Sequence, residues 1–123
     1  IIAGARLGAS HAIGHILGGS AGVPHGHTSC IMLPYVLEWN AAVNGERQKE
    51  IATAMGRAGT PASEVLDSFI RNLDMPRSIR ETGVEESDLP RLAENCMLDD
   101  WTFSNPREIR SPDQVMEILR SAV

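Results

Sequence analysis

All four histidines of this 123-residue chain fall within its first 27 positions, in a stretch that carries almost no charge. Residues 1–40 hold only Arg6 and Glu38 as formally charged side chains, and every other charged residue lies between 41 and 123. A charge-poor third with ordinary apolar content reads as interior, packed on several sides. The remainder reads as a shell of amphipathic helices around it. Buried imidazoles need partners, so the histidines are the first functional clue.

The length suits one compact domain. Forty-two per cent hydrophobic residues supply a core, which excludes whole-chain disorder. A net charge of -5 argues against a nucleic-acid surface. Cys30 and Cys96 cannot build a structural metal cluster alone and are expected to be reduced and buried. Glycine, histidine, proline or charge breaks each apolar stretch before the roughly 20 residues that a membrane helix needs. No leader is visible, and a cytoplasmic compartment is expected. Ile1-Ile2-Ala3-Gly4 is not a natural translation start, so the sequence is expected either to follow processing or to begin inside a larger protein, as a fragment lacking an upstream domain.

No alternating run supports a strand, whereas helix signals recur. Ser111-Pro112 with Gln114 predicts a capping box, and Val115, Ile118, Leu119 and Ala122 form one apolar stripe. Thr60-Pro61 predicts a second start, with Val65, Leu66, Phe69, Ile70 and Leu73 on one face and an end at Asp74–Pro76. Ser87 is expected to cap a third helix through Leu89, Leu92, Ala93 and Cys96. Residues 28–43, with Pro34 near the start or at a kink, and Glu46–Met55 are expected to be helical. Ala5–Leu17 reads as a buried helix, with Gly8 and Gly14 tolerated where a neighbour approaches closely. The fold class is therefore all-α, with six or seven helices and short loops.

His11 and His15 stand four apart and project from one helix face. A turn through Gly18-Gly19-Ser20-Ala21-Gly22 and Pro24 would bring His25 or His27 back toward them. That glycine run lacks the spacing of a dinucleotide or Walker loop and reads as a helix end with glycine at positive φ. Neutral imidazoles at such a crossing suit iron or zinc, although ordinary core or cap histidines fit the spacing too. Residue 12 is alanine, so the zinc-protease pattern is not met. A well-held ion wants at least three protein ligands, and no aspartate or glutamate occurs in residues 1–37. Distant carboxylates or sequence outside this chain must supply the rest, and the second is favoured. Tyr35 reads as a pocket or packing residue, and Trp39 and Trp101 as packing residues. Asp99-Asp100 reads as a turn cap, and Arg77 and Arg80 as solvated or ion-paired.

The ordered motifs His11, His15, Leu17-Gly18 and Pro24-His25-Gly26 resemble the C-terminal helical domain of the iron-containing (group III) alcohol dehydrogenase superfamily. That superfamily includes the maleylacetate reductases and is related in fold to dehydroquinate synthase. Ile31–Leu37 with Asn40, Pro76–Val84, Asp88-Leu89 and Asn105-Pro106-Arg107 before the last helix extend the resemblance over nearly the whole chain. It implies that His11 and His25 are two ligands of a catalytic Fe2+, with Zn2+ as the alternative. His15 would then stand beside the nicotinamide of NAD or NADP and the substrate. The remaining ligands, an aspartate and a histidine, and the nucleotide-binding α/β domain would lie upstream. The implied reaction is hydride transfer between a small alcohol and its aldehyde or ketone. His25-Gly26 leans toward the metal-dependent alcohol dehydrogenases over the maleylacetate reductases. A stand-alone helical structural or regulatory protein, and another metalloenzyme using the same histidines, are the competing readings. Homo-oligomerisation is left open.

Overall fold

The computed structural model describes residues 8–123, and among these it holds five α-helices and three short 3-10 turns. Helix α1 spans Ala9–Ala21, α2 His25–Ala54, α3 Ala62–Asn72, α4 Leu89–Cys96 and α5 Pro112–Ala122. Among the described residues there is no strand, and no helix is long and apolar enough to cross a membrane. The all-α expectation holds.

Where local signals are strong, boundaries follow them. Helix α5 begins at Pro112 behind a reciprocal Ser111–Gln114 capping box, and its expected stripe is buried. Elsewhere details differ. Thr60 does not cap α3, because Pro61 occupies that position and the N–H groups of Glu64 and Val65 donate to its carbonyl. Val65 and Ile70 are buried, but Phe69 and Leu73 are more than half exposed, so the expected face is only partly covered. Ser87 lies inside a 3-10 turn, and the capping box there is formed by Glu85 and Asp88. The two helices expected around residues 28–55 are one helical run interrupted at Asn44, whose φ of -132° leaves the helical region. Gln48 Nε2 bridges that break, donating to the Leu37 carbonyl and to Asn44 Oδ1, both at 2.8 Å. Pro34 is buried inside α2, away from both its start and the break.

Helix α1 runs four residues beyond the expected Leu17, through both glycines to Ala21, and Ala5–Leu7 of the expected helix lie outside the described residues. Gly22, at φ 69°, closes it, and the Val23 N–H reaches back to the Leu17 carbonyl at 3.2 Å. That is a left-handed glycine C-cap. The core joins Ala9, Ile13 and Leu17 of α1 to Ile31, Met32 and Val36 of α2, Leu89 and Leu92 of α4, and Val115, Ile118 and Leu119 of α5. Helix α3 packs on α2.

Close approaches explain two of the glycines, Gly14 inside α1 and Gly8 at its N-cap. A Cβ on Gly14 would stand 3.1 Å from Thr28 Oγ1, and one on Gly8 would stand 3.2 Å from Asn105 Oδ1. Thr28 is fully buried and its hydroxyl donates to the His25 carbonyl at 2.7 Å. The crossing of α1 over the first turn of α2 is thus tight, and it sets where His25 stands relative to His11 and His15.

Candidate metal and active site

The Gly22-Val23-Pro24 turn reverses the chain, and Pro24 serves as N-cap of α2, so the first residue of that helix is His25. His11 and His15, one helical turn apart on α1, have ring centres 4.7 Å apart. The His25 ring centre lies 5.8 Å from that of His11 and 6.5 Å from that of His15. Of the two histidines that the turn was expected to return, it is His25 that meets the pair. His27, two positions on, projects to the other side of α2.

The donor chemistry suits a divalent ion. A ligating nitrogen about 2.1 Å from the metal places each imidazole centre about 3 Å from it, so rings sharing an ion lie within about 6 Å of each other. His11 meets that limit with His25 and also with His15, whereas His15 and His25 lie beyond it. Burial, followed by the neighbouring His15 and His25, pushes the His11 pKa down against an opposing pull from Asp99. The neutral ring, which carries the lone pair a metal needs, is therefore favoured. Among the described residues, no group of three His, Cys, Asp or Glu side chains converges closely enough to hold an ion. The residues fit part of a donor set, in line with the ligand shortage visible in the sequence.

Two further residues join the histidines from the far end of the chain. Trp101 lies with its ring centre 5.1 Å from His11 and 4.8 Å from His15, and Asp99 Oδ2 lies 3.5 Å from His15 Nδ1. Asp99 does cap its turn as expected, with Oδ1 accepting from the Trp101 N–H at 2.9 Å. Its second contact, and the placement of Trp101 in the site instead of in plain packing, were not foreseen. The nearest signal is their position just ahead of Asn105-Pro106-Arg107. Thr102, buried, anchors this turn by donating to the Cys96 carbonyl. Beside His15 the surface opens into a recess of about 590 Å³, walled by Ile16, Leu98 and Trp101 and edged by Ser20, Asn95, Asp99 and Asp100.

The remaining candidates have structural roles. Tyr35 donates its hydroxyl to the Arg77 carbonyl at 3.1 Å, and Arg77 pairs with Asp67. Trp39 is buried beneath the Arg107 guanidinium, 3.6 Å from the ring centre. Both cysteines are unpaired, and burial pushes the Cys96 thiol up to about 12.

The sequence model of the Fe-containing alcohol dehydrogenase family, C-terminal, matches residues 1–123. The chain is 34% identical to the 1,3-propanediol dehydrogenase of Citrobacter freundii over 127 residues, covering 96% of this chain and 33% of that protein. It is also 34% identical to the lactaldehyde reductase of Escherichia coli (strain K12), covering 94% of this chain and 32% of that protein. A solved alcohol dehydrogenase from Oenococcus oeni superimposes with a TM-score of 0.88 at 31% identity, over 97% of this chain and 33% of the other. The chain therefore spans about a third of the length of the relatives it matches. With a match over all of its residues and a helical fold shared with solved members, the chain belongs to the C-terminal domain of the Fe-containing alcohol dehydrogenase family.

Proposed function

We propose that this chain is the metal-binding helical half of an NAD(P)-dependent alcohol dehydrogenase that interconverts an alcohol with an aldehyde or ketone. The observation that carries the reading is the convergence of His11, His25 and His15 beside an open recess, in a chain of this family. His11 and His25 would hold the ion, Fe2+ or Zn2+, together with an aspartate and a histidine from the start of the helical domain, upstream of this chain, and a separate upstream α/β domain would bind NAD or NADP. When bound, the ion supplies a Lewis acid at the substrate oxygen.

The chain's own residues contribute the rest. Burial and like-charge repulsion keep His11 in the metal-accepting form. His15 stays off the metal and faces the recess, where its ring orients the substrate hydroxyl and relays a proton. Trp101 packs against both α1 histidines and forms one wall of the recess. Asp99 and Asp100 edge the recess, and among the described residues no lysine or arginine lines it. An acidic edge repels anionic ligands, which supports an uncharged alcohol over a dicarboxylate such as maleylacetate. The two unpaired cysteines fit a reducing compartment such as the cytoplasm.

Metal analysis and steady-state kinetics on the full-length protein test the assignment. His11→Ala and His25→Ala should lose metal and activity together. His15→Ala should keep the metal while kcat falls about 10²-fold or more. Equal metal loss in all three variants, or full occupancy in the first two, would overturn the roles.

A further inference from the structure

One carboxylate at the edge of the recess faces two ways. Asp99 Oδ1 accepts from the Trp101 N–H at 2.9 Å, while Oδ2 lies 3.5 Å from His15 Nδ1. The turn that carries it is held at both ends: the Asp99 N–H donates to the Cys96 carbonyl at 3.2 Å, and Thr102 Oγ1 donates to the same oxygen. Asp99 is 18% exposed at its side chain and His15 42%, so the acid is the better-fixed partner and the ring the one that adjusts. A cap alone needs only one carboxylate oxygen, and the other is aimed at an imidazole nitrogen.

Which nitrogen of a neutral imidazole carries the proton is set by what the other one faces. An unconstrained side chain favours Nε2–H, which would turn a donor toward the recess. An alcohol hydroxyl arriving there brings its own proton and needs an acceptor. We infer that Asp99 is a positioning residue for His15, holding it as the Nδ1–H tautomer so that Nε2 is left bare to accept from a substrate hydroxyl. The 3.5 Å separation is long for a hydrogen bond, and such contacts commonly tighten when a site is filled. The inference rests on reading His15 as the residue beside the substrate, whereas its first test does not.

That test is the imidazole nitrogen spectrum of the uniformly 15N-labelled chain, recorded at alkaline pH. His15 should show a protonated Nδ1 and a bare Nε2. Asp99→Asn keeps the cap, because its Oδ1 still accepts from Trp101, and turns an amide donor toward His15 Nδ1. The ring should then switch to Nε2–H. Asp99→Ser also preserves a capping oxygen but withdraws the partner, and should give the same switch if the asparagine variant fails to fold. An Nε2–H ring in the parent chain, or an Nδ1–H ring persisting in a folded variant, overturns the inference. In the full-length enzyme, Asp99→Asn should lower kcat about 10–100-fold with metal content unchanged. A tautomer switch without loss of turnover would leave the Asp99–His15 coupling standing and remove His15 from the reacting atoms.

Discussion

Helices α1 and α5 bury one face each in the same core, yet they are specified by different means. Helix α5 carries its instructions locally: a serine cap, proline in the first turn, a reciprocal glutamine and four apolar residues at helical spacing. Helix α1 has no side-chain cap of its own, no charge in its end turns, and glycine at 14, 18 and 19. Its first N–H, that of Ala9, instead donates at 3.2 Å to Asn105 Oδ1, from a residue 96 positions away. Asn105 and Asn40 also exchange amide hydrogen bonds at 2.6 and 3.2 Å, and Asn105 Nδ2 reaches the Arg107 carbonyl at 2.8 Å. The helix that carries His11 and His15 is thus held by its neighbours. None of its polar side chains caps its start, which leaves both imidazoles available for a ligand.

The largest test of that contrast is Asn105→Ala. It strips the Ala9 N–H and the Asn40 NH2 of their shared acceptor, Asn105 Oδ1, while Asn40 Oδ1 keeps the Arg107 N–H, and one buried unsatisfied group costs about 1–3 kcal/mol. A loss of about 3 kcal/mol in denaturant unfolding is expected, with the His11 and His15 resonances shifting along with those of Ala9. A loss below that of a simple surface cap would mean that α1 holds its own start.

The same contrast explains what could be read from the residues alone. The limits of α5 are legible because cap, proline and stripe sit side by side. The end of α1 is not, because Gly18 and Gly19 look like a stop when neighbouring packing is out of view. His11 and His15 announce themselves by spacing, and His25 through the Pro24-His25-Gly26 motif. Asp99 and Trp101 join the site only through tertiary structure, since α1 packs against the 3-10 turn Asp100–Thr102. The resemblance supplied an ordered set of motifs, but the crossing of α1 over Thr28 is what brings His25 to the other two rings.

A smaller effect is expected at the locally specified end. Ser111→Ala removes half of the capping box and should cost about 1 kcal/mol. Because Asn105 lies outside that box, the α1 histidine resonances should stay in place. Their movement would show that the start of α5 and the site are one cooperative unit, and would weaken the distinction.

The finest test compares two glycines of α1. At Gly19 a Cβ meets nothing within 4 Å, so Gly19→Ala should stabilise the fold by roughly 0.5–1 kcal/mol through helix propensity. At Gly14 the same methyl meets Thr28 Oγ1 at 3.1 Å, tighter than ordinary contact. Thr28 cannot yield freely, because it is fully buried and its hydroxyl is tied to the His25 carbonyl. Gly14→Ala should therefore forfeit the propensity gain and move the His25 resonances, whereas Gly19→Ala leaves them unchanged. Thermal melts and imidazole spectra of the two variants separate these outcomes. Equal stabilisation with no movement of His25 would show that the helices have room to spare where they cross. Propensity alone would then explain the two glycines, and the tight packing of α1 on α2 would no longer account for the position of His25.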